Sequence, residues 1–260
     1  MRHVLRFCLA AMLLLLCGAT SPPARTVLAA TPISRMDLSW WRARHEAKLQ
    51  ELHQNRVDLV FLGDSITQDW EHHGPPDWVD FAPIWQRLYG DRNAINLGFT
   101  GDATSHLLWR IENGEVAGIT PKVAVILIGA NNLGRLHWSA GDTVAGIDAI
   151  ITQLHRRLPR TRLLLLGILP SERSPWATEM TQTINALLAA RYGHASDVAY
   201  LDVGHVFMRD GRLNRDLFAD PMQNPPRPPL HPNAHGQALM AEAMEPMLAA
   251  LLGDRPHRLR

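Results

Sequence analysis

Four short polar motifs in this chain each sit beside an apolar run. Gly63-Asp64-Ser65-Ile66-Thr67 follows residues 57–62, and Asn96-Leu97-Gly98 closes a second run. Gly129-Ala130-Asn131-Asn132 follows residues 123–128, and Leu230-His231-Pro232-Asn233 precedes the final helical stretch. A serine hydroxyl becomes a nucleophile only when a base can take its proton, and His231 is the candidate base for Ser65. Acyl transfer also needs hydrogen-bond donors for the oxyanion that forms on the carbonyl oxygen. The backbone N–H groups of Ser65 and Gly98 and the side-chain amide of Asn131 are the candidate donors. A glycine at position 98 lets backbone approach a bound group without a side chain in the way.

These residues cooperate only if the fold brings their loops together. Residues 57–62, 94–97, 123–128, 163–169 and 198–201 are short, continuous runs rich in Val, Ile and Leu. Such runs suit strands buried on both faces of a parallel sheet. Helical patterns fall between them, over residues 34–54, 104–113, 143–158, 178–192 and 234–252, with Trp40, Trp41 and Leu49 on the apolar side of the first. The alternation predicts one α/β domain, a three-layer α/β/α sandwich around a five-stranded parallel sheet. In such sheets the loops that follow the strands share one edge, where ligands bind. Residues 71–83 and 219–232 are proline-rich and read as long irregular loops. Trp70, Trp78 and Trp85 flank the first, as candidates to stack on a ligand at a cleft mouth or simply to pack, packing being the stronger reading for Trp85.

The 260 residues are 46% hydrophobic and 20% charged with a formal net charge of +1. That balance, without a long basic run, gives no support to a nucleic-acid partner. At the N-terminus Arg2, His3 and Arg6 precede an apolar stretch over residues 7–17, followed by small residues. This is the layout of a secretory signal peptide within residues 1–30, cleaved somewhere in 19–30, which leaves a single domain over 31–260. Cys17-Gly18-Ala19 and Val27-Leu28-Ala29 both offer a cleavage edge. A membrane span needs about 20 apolar residues, so the expectation is a mature protein without a stable span, in the periplasm or secreted. Both cysteines, Cys8 and Cys17, fall in the leader. A mature cysteine-free chain excludes a cysteine nucleophile and a cysteine-ligated zinc. His231 and His235 stand four apart but lack the His-Glu-x-x-His context of a metal site.

The motifs, taken together, resemble those of the SGNH (GDSL-type) hydrolases, in particular the branch similar to the catalytic subunits of platelet-activating factor acetylhydrolase. The likeness runs from about residue 57 to 246. It rests on Gly63-Asp64-Ser65-Ile66-Thr67, on Asn96-Leu97-Gly98 with Gly101-Asp102, on Gly129-Ala130-Asn131-Asn132, on Leu166-Gly167-Ile168-Leu169-Pro170 and on His231-Pro232-Asn233. The resemblance implies a flavodoxin-like sheet, ester hydrolysis and neither metal nor cofactor. The related acetylhydrolase subunits associate in pairs, which extends to this chain the expectation of a homodimer. The Gly-x-Ser-x-Gly elbow of α/β-hydrolases is absent.

One departure bears on chemistry. The family's last block is Asp-x-x-His, but Pro228 stands three residues before His231. Three readings follow: Asp220 is the partner of His231, displaced by an insertion; a backbone carbonyl orients His231 in a Ser-His dyad; or the site is decayed. The function expected is that of an exported serine esterase acting on short acyl esters, acetyl foremost, on a small molecule or an envelope or extracellular polysaccharide. That choice of substrate follows from the address alone. Lysophospholipid or thioester cleavage, and acyl transfer through the same acyl-serine, are the enzymatic alternatives. A non-catalytic carbohydrate-binding protein is the alternative outside enzymology.

Overall fold

In the computed structural model, which describes residues 25–259, five strands pair in parallel. They are β1 (Leu59–Gly63), β2 (Ala94–Gly98), β3 (Val123–Leu127), β4 (Arg162–Leu166) and β5 (Val198–Leu201). Their order is β2-β1-β3-β4-β5, the flavodoxin-like arrangement, whose switch point lies between β1 and β3. The register aligns Gly63 with Gly98 and with Leu127, so the loops after β1, β2 and β3 leave the sheet at one level.

Alternate residues of each strand face opposite ways. Val60 and Leu62 join one core cluster, while Leu59 and Phe61 join the other. Both faces are therefore buried, which is why the strand reads as an unbroken apolar run rather than an alternating one. One face is covered by α1 (Ser39–Gln54), α4 (Thr104–Arg110), α6 (Ala140–Arg157) and α7 (Pro175–Tyr192); the other is covered by α3 (Ala82–Tyr89) and α8 (Ala234–Leu252). Two short helices, α2 (Ser65–Gln68) and α5 (Ala130–Gly134), start at the ends of β1 and β3.

The structure revises several expectations. The fourth run was expected to continue as strand to 169, but pairing ends at Leu166. Beyond it, Asn185 of α7 takes over the backbone of Ile168, accepting from its N–H at 2.9 Å and donating to its carbonyl at 2.9 Å. The helix expected over 104–113 ends at Arg110 and passes into a wider turn over Ile111–Glu115, because Gly114 takes a φ of 104°. Part of the first irregular segment is helical, since Pro83 fits the first turn of α3. Trp41 is fully buried on α1, but Trp40 is 44% exposed and does not share the apolar side.

Trp70 is buried against Phe81, Trp85 and Tyr89, and Trp85 packs on Phe61. Trp78 and Trp85 are half-buried. Residues 1–24, which carry most of the expected signal peptide, lie outside the described residues. Leu28–Ala30 forms a turn that is part of the folded domain: Ala29 is 1% exposed, and its carbonyl accepts from Thr104 Oγ1 at 2.8 Å. The domain thus begins before residue 31.

Candidate active site

Ser65 is the first residue of α2, a helix far too short to hold itself together. Its position comes from neighbouring elements. The Asp64 carboxylate caps the helix by accepting from Ile66 N–H at 3.0 Å. Asn96 on β2 donates to the Thr67 carbonyl at 2.7 Å, and Gln237 on α8 donates to the Ile66 carbonyl at 3.0 Å. Beneath the helix lies Gly98, where a Cβ would come within 2.2 Å of Gln68 N and 2.6 Å of the Thr67 carbonyl carbon. Only a residue without a side chain lets the α2 backbone settle on the end of β2.

Ser65 Oγ is 3.0 Å from His231 Nε2. The other ring nitrogen, Nδ1, meets not a backbone carbonyl but Asp220 Oδ1, at 2.9 Å. The second carboxylate oxygen of Asp220 accepts from the Leu230 and His231 N–H groups at 2.8 and 2.5 Å. Arg227 N–H donates to the Asp220 carbonyl at 3.0 Å and closes the intervening segment into a loop. Its residues 224–228 are exposed, Pro228 among them. The extra residues bulge into solvent and the chain returns, so that Asp220 meets His231 across the segment that contains Pro228. Both nitrogens of His231 are engaged, and His235 is exposed on α8, so the two histidines do not converge on a metal.

Burial pushes the Asp220 pKa up, but the His231 ring and the two N–H bonds outweigh it and hold the group below the usual carboxylate range. Burial opposes the charged form of His231, but the bond to Asp220, with the charges of Asp220, Asp69 and Asp64, raises it above 6.5. Asp64 is pushed up to about 7 by burial.

The expected oxyanion donors are placed as follows. Ser65 N–H donates to no acceptor among the described residues. Asn131, on α5, is 7% exposed; its amide donates to the Asp102 carbonyl at 3.0 Å and makes only a long contact, 3.4 Å, with Asp64 Oδ2. Gly98 N–H is instead taken by Asn96 Oδ1 at 2.8 Å. A donor that the sequence reading missed lies three residues on. Gly101 has a φ of 77°, a left-handed conformation suited to glycine, and its buried N–H has no acceptor among the described residues. The signal was present as Gly101-Asp102 beside the second motif.

Asp102 is a structural support held by side chains rather than by loop backbone. It is fully buried, and its carboxylate accepts from Arg35 (2.8 Å), Trp41 (2.9 Å) and Arg110 (2.9 Å). Arg110 also donates to the Leu97 and Gly63 carbonyls at 3.1 Å each and pairs with Glu115. One buried cation therefore ties the ends of β1 and β2 to the loop that carries Gly101. Asn132 accepts from Thr104 N–H at 3.0 Å and donates to Thr104 Oγ1 at 2.7 Å, which joins α5 to the start of α4. A cavity of about 760 Å³ opens further along, against the ends of β4 and β5; it is lined by Asn185, Tyr200 and Asp202 but by none of Ser65, His231 or Asp220.

A doubly wound α/β domain that sets a serine, a histidine and an aspartate in one hydrogen-bonded chain at its switch point belongs, by class, with the serine hydrolases. Comparison with known proteins gives the particular family. The family described as GDSL-like Lipase/Acylhydrolase matches residues 61–239. Human platelet-activating factor acetylhydrolase IB subunit alpha2 is 30% identical over 220 residues, which cover 83% of this chain and 86% of that protein. The chain belongs to the GDSL-like lipase/acylhydrolase family, and it is an SGNH serine hydrolase. Among solved structures, a GDSL-like lipase from Bacteroides thetaiotaomicron superposes with a TM-score of 0.61 at 18% identity, over 82% of this chain and 97% of that one. A carbohydrate acetylesterase family member from Sinorhizobium meliloti superposes with a TM-score of 0.55 at 18% identity, over 76% and 99%. At those identities the likeness concerns the fold.

Proposed function

We propose that this protein is an exported esterase that hydrolyses short-chain, foremost acetyl, esters through a Ser65–His231–Asp220 triad. The observation that carries the reading is the continuous chain Ser65 Oγ–His231 Nε2, His231 Nδ1–Asp220 Oδ1, at 3.0 and 2.9 Å. Ser65 attacks the ester carbonyl while His231 takes its proton; His231 then returns the proton to the leaving alcohol. Asp220 holds the ring in the tautomer that leaves Nε2 free to accept and stabilises the imidazolium. The oxyanion is met by the Ser65 N–H, the Asn131 amide and, as the second backbone donor, Gly101 N–H in place of Gly98. Gly101 is favoured because its N–H is free and it precedes Asp102, whose carbonyl receives the Asn131 amide. Water hydrolyses the acyl-serine by the same steps in reverse.

The acetyl preference draws on the names of the relatives and a polysaccharide alcohol on the expected export. We place signal cleavage after Ala19 rather than after Ala29, since the latter would remove the buried Ala29 contact with Thr104. The test is turnover of p-nitrophenyl acetate, butyrate and octanoate by the purified protein beside Ser65→Ala. The reading expects turnover that declines with acyl length and is abolished in the variant. Equal rates in both proteins would contradict it, and a preference for octanoate would remove the short-acyl assignment. The homodimer expected from the relatives is tested by sedimentation equilibrium, where a monomer would exclude it.

A further inference from the structure

Two guanidinium groups stand at this site without a carboxylate partner. Arg173 lies in the loop between β4 and α7. Its neighbour Glu172 donates its N–H to the Pro229 carbonyl at 3.1 Å, which fixes this loop to the segment that carries His231. In the other direction, the Arg173 guanidinium donates to the carbonyl of Ala130, the residue before Asn131. Arg173 therefore bridges the loop of the proposed base and the loop of the proposed oxyanion amide. It forms no ion pair among the described residues, and its Nε is enclosed without an acceptor. The charges that act on it most are Asp64, next to Ser65, and Asp220.

The guanidinium lies flat on Gly134, where a Cβ would come within 1.9 Å of Nη1 and 2.0 Å of Cζ. The next residue of the chain, Arg135, lies over Gly101, its Nη1 2.3 Å from where a Cβ would stand. The Arg135 side chain has neither an ion-pair nor a hydrogen-bond partner among the described residues. Arg135 is exposed, whereas Arg173 is half-buried, and holding its charge there without a carboxylate costs desolvation free energy. A planar guanidinium with vacant donors fits a carboxylate or phosphate in two-pronged fashion.

We propose that Arg173, with Arg135 beside Gly101, selects ester substrates that carry an oxyanion, a carboxylate or a phosphate, close to the scissile bond. The inference rests on the esterase reading for its chemistry, but not for its binding. Acidic sugars and phosphate-bearing alcohols are the two sources of such a group.

The test compares methyl 4-acetoxybenzoate, which is neutral, with 4-acetoxybenzoate and 4-acetoxyphenyl phosphate. The readout is the ratio of kcat/KM for each anionic ester to that for the neutral one, since a mere brace for Ala130 would alter all three together. Arg173→Gln is expected to lower this ratio by about tenfold, as befits a charge-assisted contact. Arg173→Lys should retain part of it. Gly134→Ala, which displaces the guanidinium without removing the charge, should lower it as well. Loss for the carboxylate alone would assign an acidic sugar, and loss for the phosphate alone a phosphate ester. The same contrast is then measured as binding affinity in Ser65→Ala with and without Arg173→Gln, which needs no turnover. If the wild-type protein turns over none of the esters, the esterase reading fails while the binding contrast still decides this one. An unchanged ratio, or anion binding indifferent to Arg173, would overturn it.

Discussion

At the scale of the residue, the proposed triad makes His231 and Asp220 set the pH behaviour. The general base must be neutral to accept the Ser65 proton, so kcat/KM rises as His231 loses its own proton. Because Asp220 and its acidic neighbours hold that pKa above 6.5, the acid limb of the profile is expected above that pH. Asp220→Asn removes the largest favourable partner of the imidazolium. The variant should move the limb to lower pH and reduce the plateau by about 10⁴, the order seen when a triad aspartate is removed. A plateau near the wild-type value would remove Asp220 from the triad.

Asp64 makes a separate prediction about stability. Its pKa is raised to about 7 from 3.8 by burial, so between those values the folded state holds a proton that the unfolded chain has lost. Stability therefore falls as pH rises through that window, by at most about 4 kcal/mol at 1.36 kcal/mol per unit. Asp64→Asn, which cannot ionise, should be more stable relative to wild type at about pH 8 than at about pH 4 in urea titrations. A constant difference across the window would contradict the assignment.

The elements explain why some of the site was legible in the sequence and some was not. Strands buried on both faces leave continuous apolar runs, so β1, β2, β3 and β5 could be read with small errors at their ends. The last part of the fourth run is equally apolar, yet its backbone bonds to the Asn185 side chain, and no local pattern reports a partner that distant. The one-turn helices α2 and α5 were invisible because bonds from Asn96, Gln237 and Asn132, not propensity, hold the structure around them together. Ser65 and His231 were legible because their motifs adjoin clear strand and helix boundaries. Asp220 was legible only as the first acid upstream of an evident insertion.

Gly98 was read as a donor because an absent side chain suits close approach equally to a substrate and to a helix; the close approach is made by α2. Gly98→Ala should force α2 off the end of β2, costing about 1–3 kcal/mol, as overpacking does, and should lower turnover by displacing Ser65. A variant with wild-type melting and rate would show that the helix accommodates a methyl group. Arg110 makes the same point with charge. Arg110→Met would strand the fully buried Glu115 and leave Asp102 with Arg35 as its one cation, at a cost of about 3–5 kcal/mol, measured by denaturant unfolding.

On the scale of the whole molecule, the sheet order brings the ends of β1, β2 and β3 to one edge, and the returning loop before α8 adds His231 and Asp220. Residues far apart in the chain thus meet in one site. No helix among the described residues is long and apolar enough to cross a membrane. The packing of Ala29 makes the proposed signal cleavage after Ala19 checkable. The protein recovered from an exporting host should begin at Thr20, as read by intact mass; a chain beginning at Ala30 or Thr31 would contradict the account of the N-terminal turn. The central claim, that Ser65 is a nucleophile activated by His231, is tested most directly by a fluorophosphonate with peptide mapping. The account predicts one phosphonyl adduct on Ser65 that disappears in Ser65→Ala and forms far more slowly in His231→Ala. Failure to label Ser65, or labelling indifferent to His231, would contradict it.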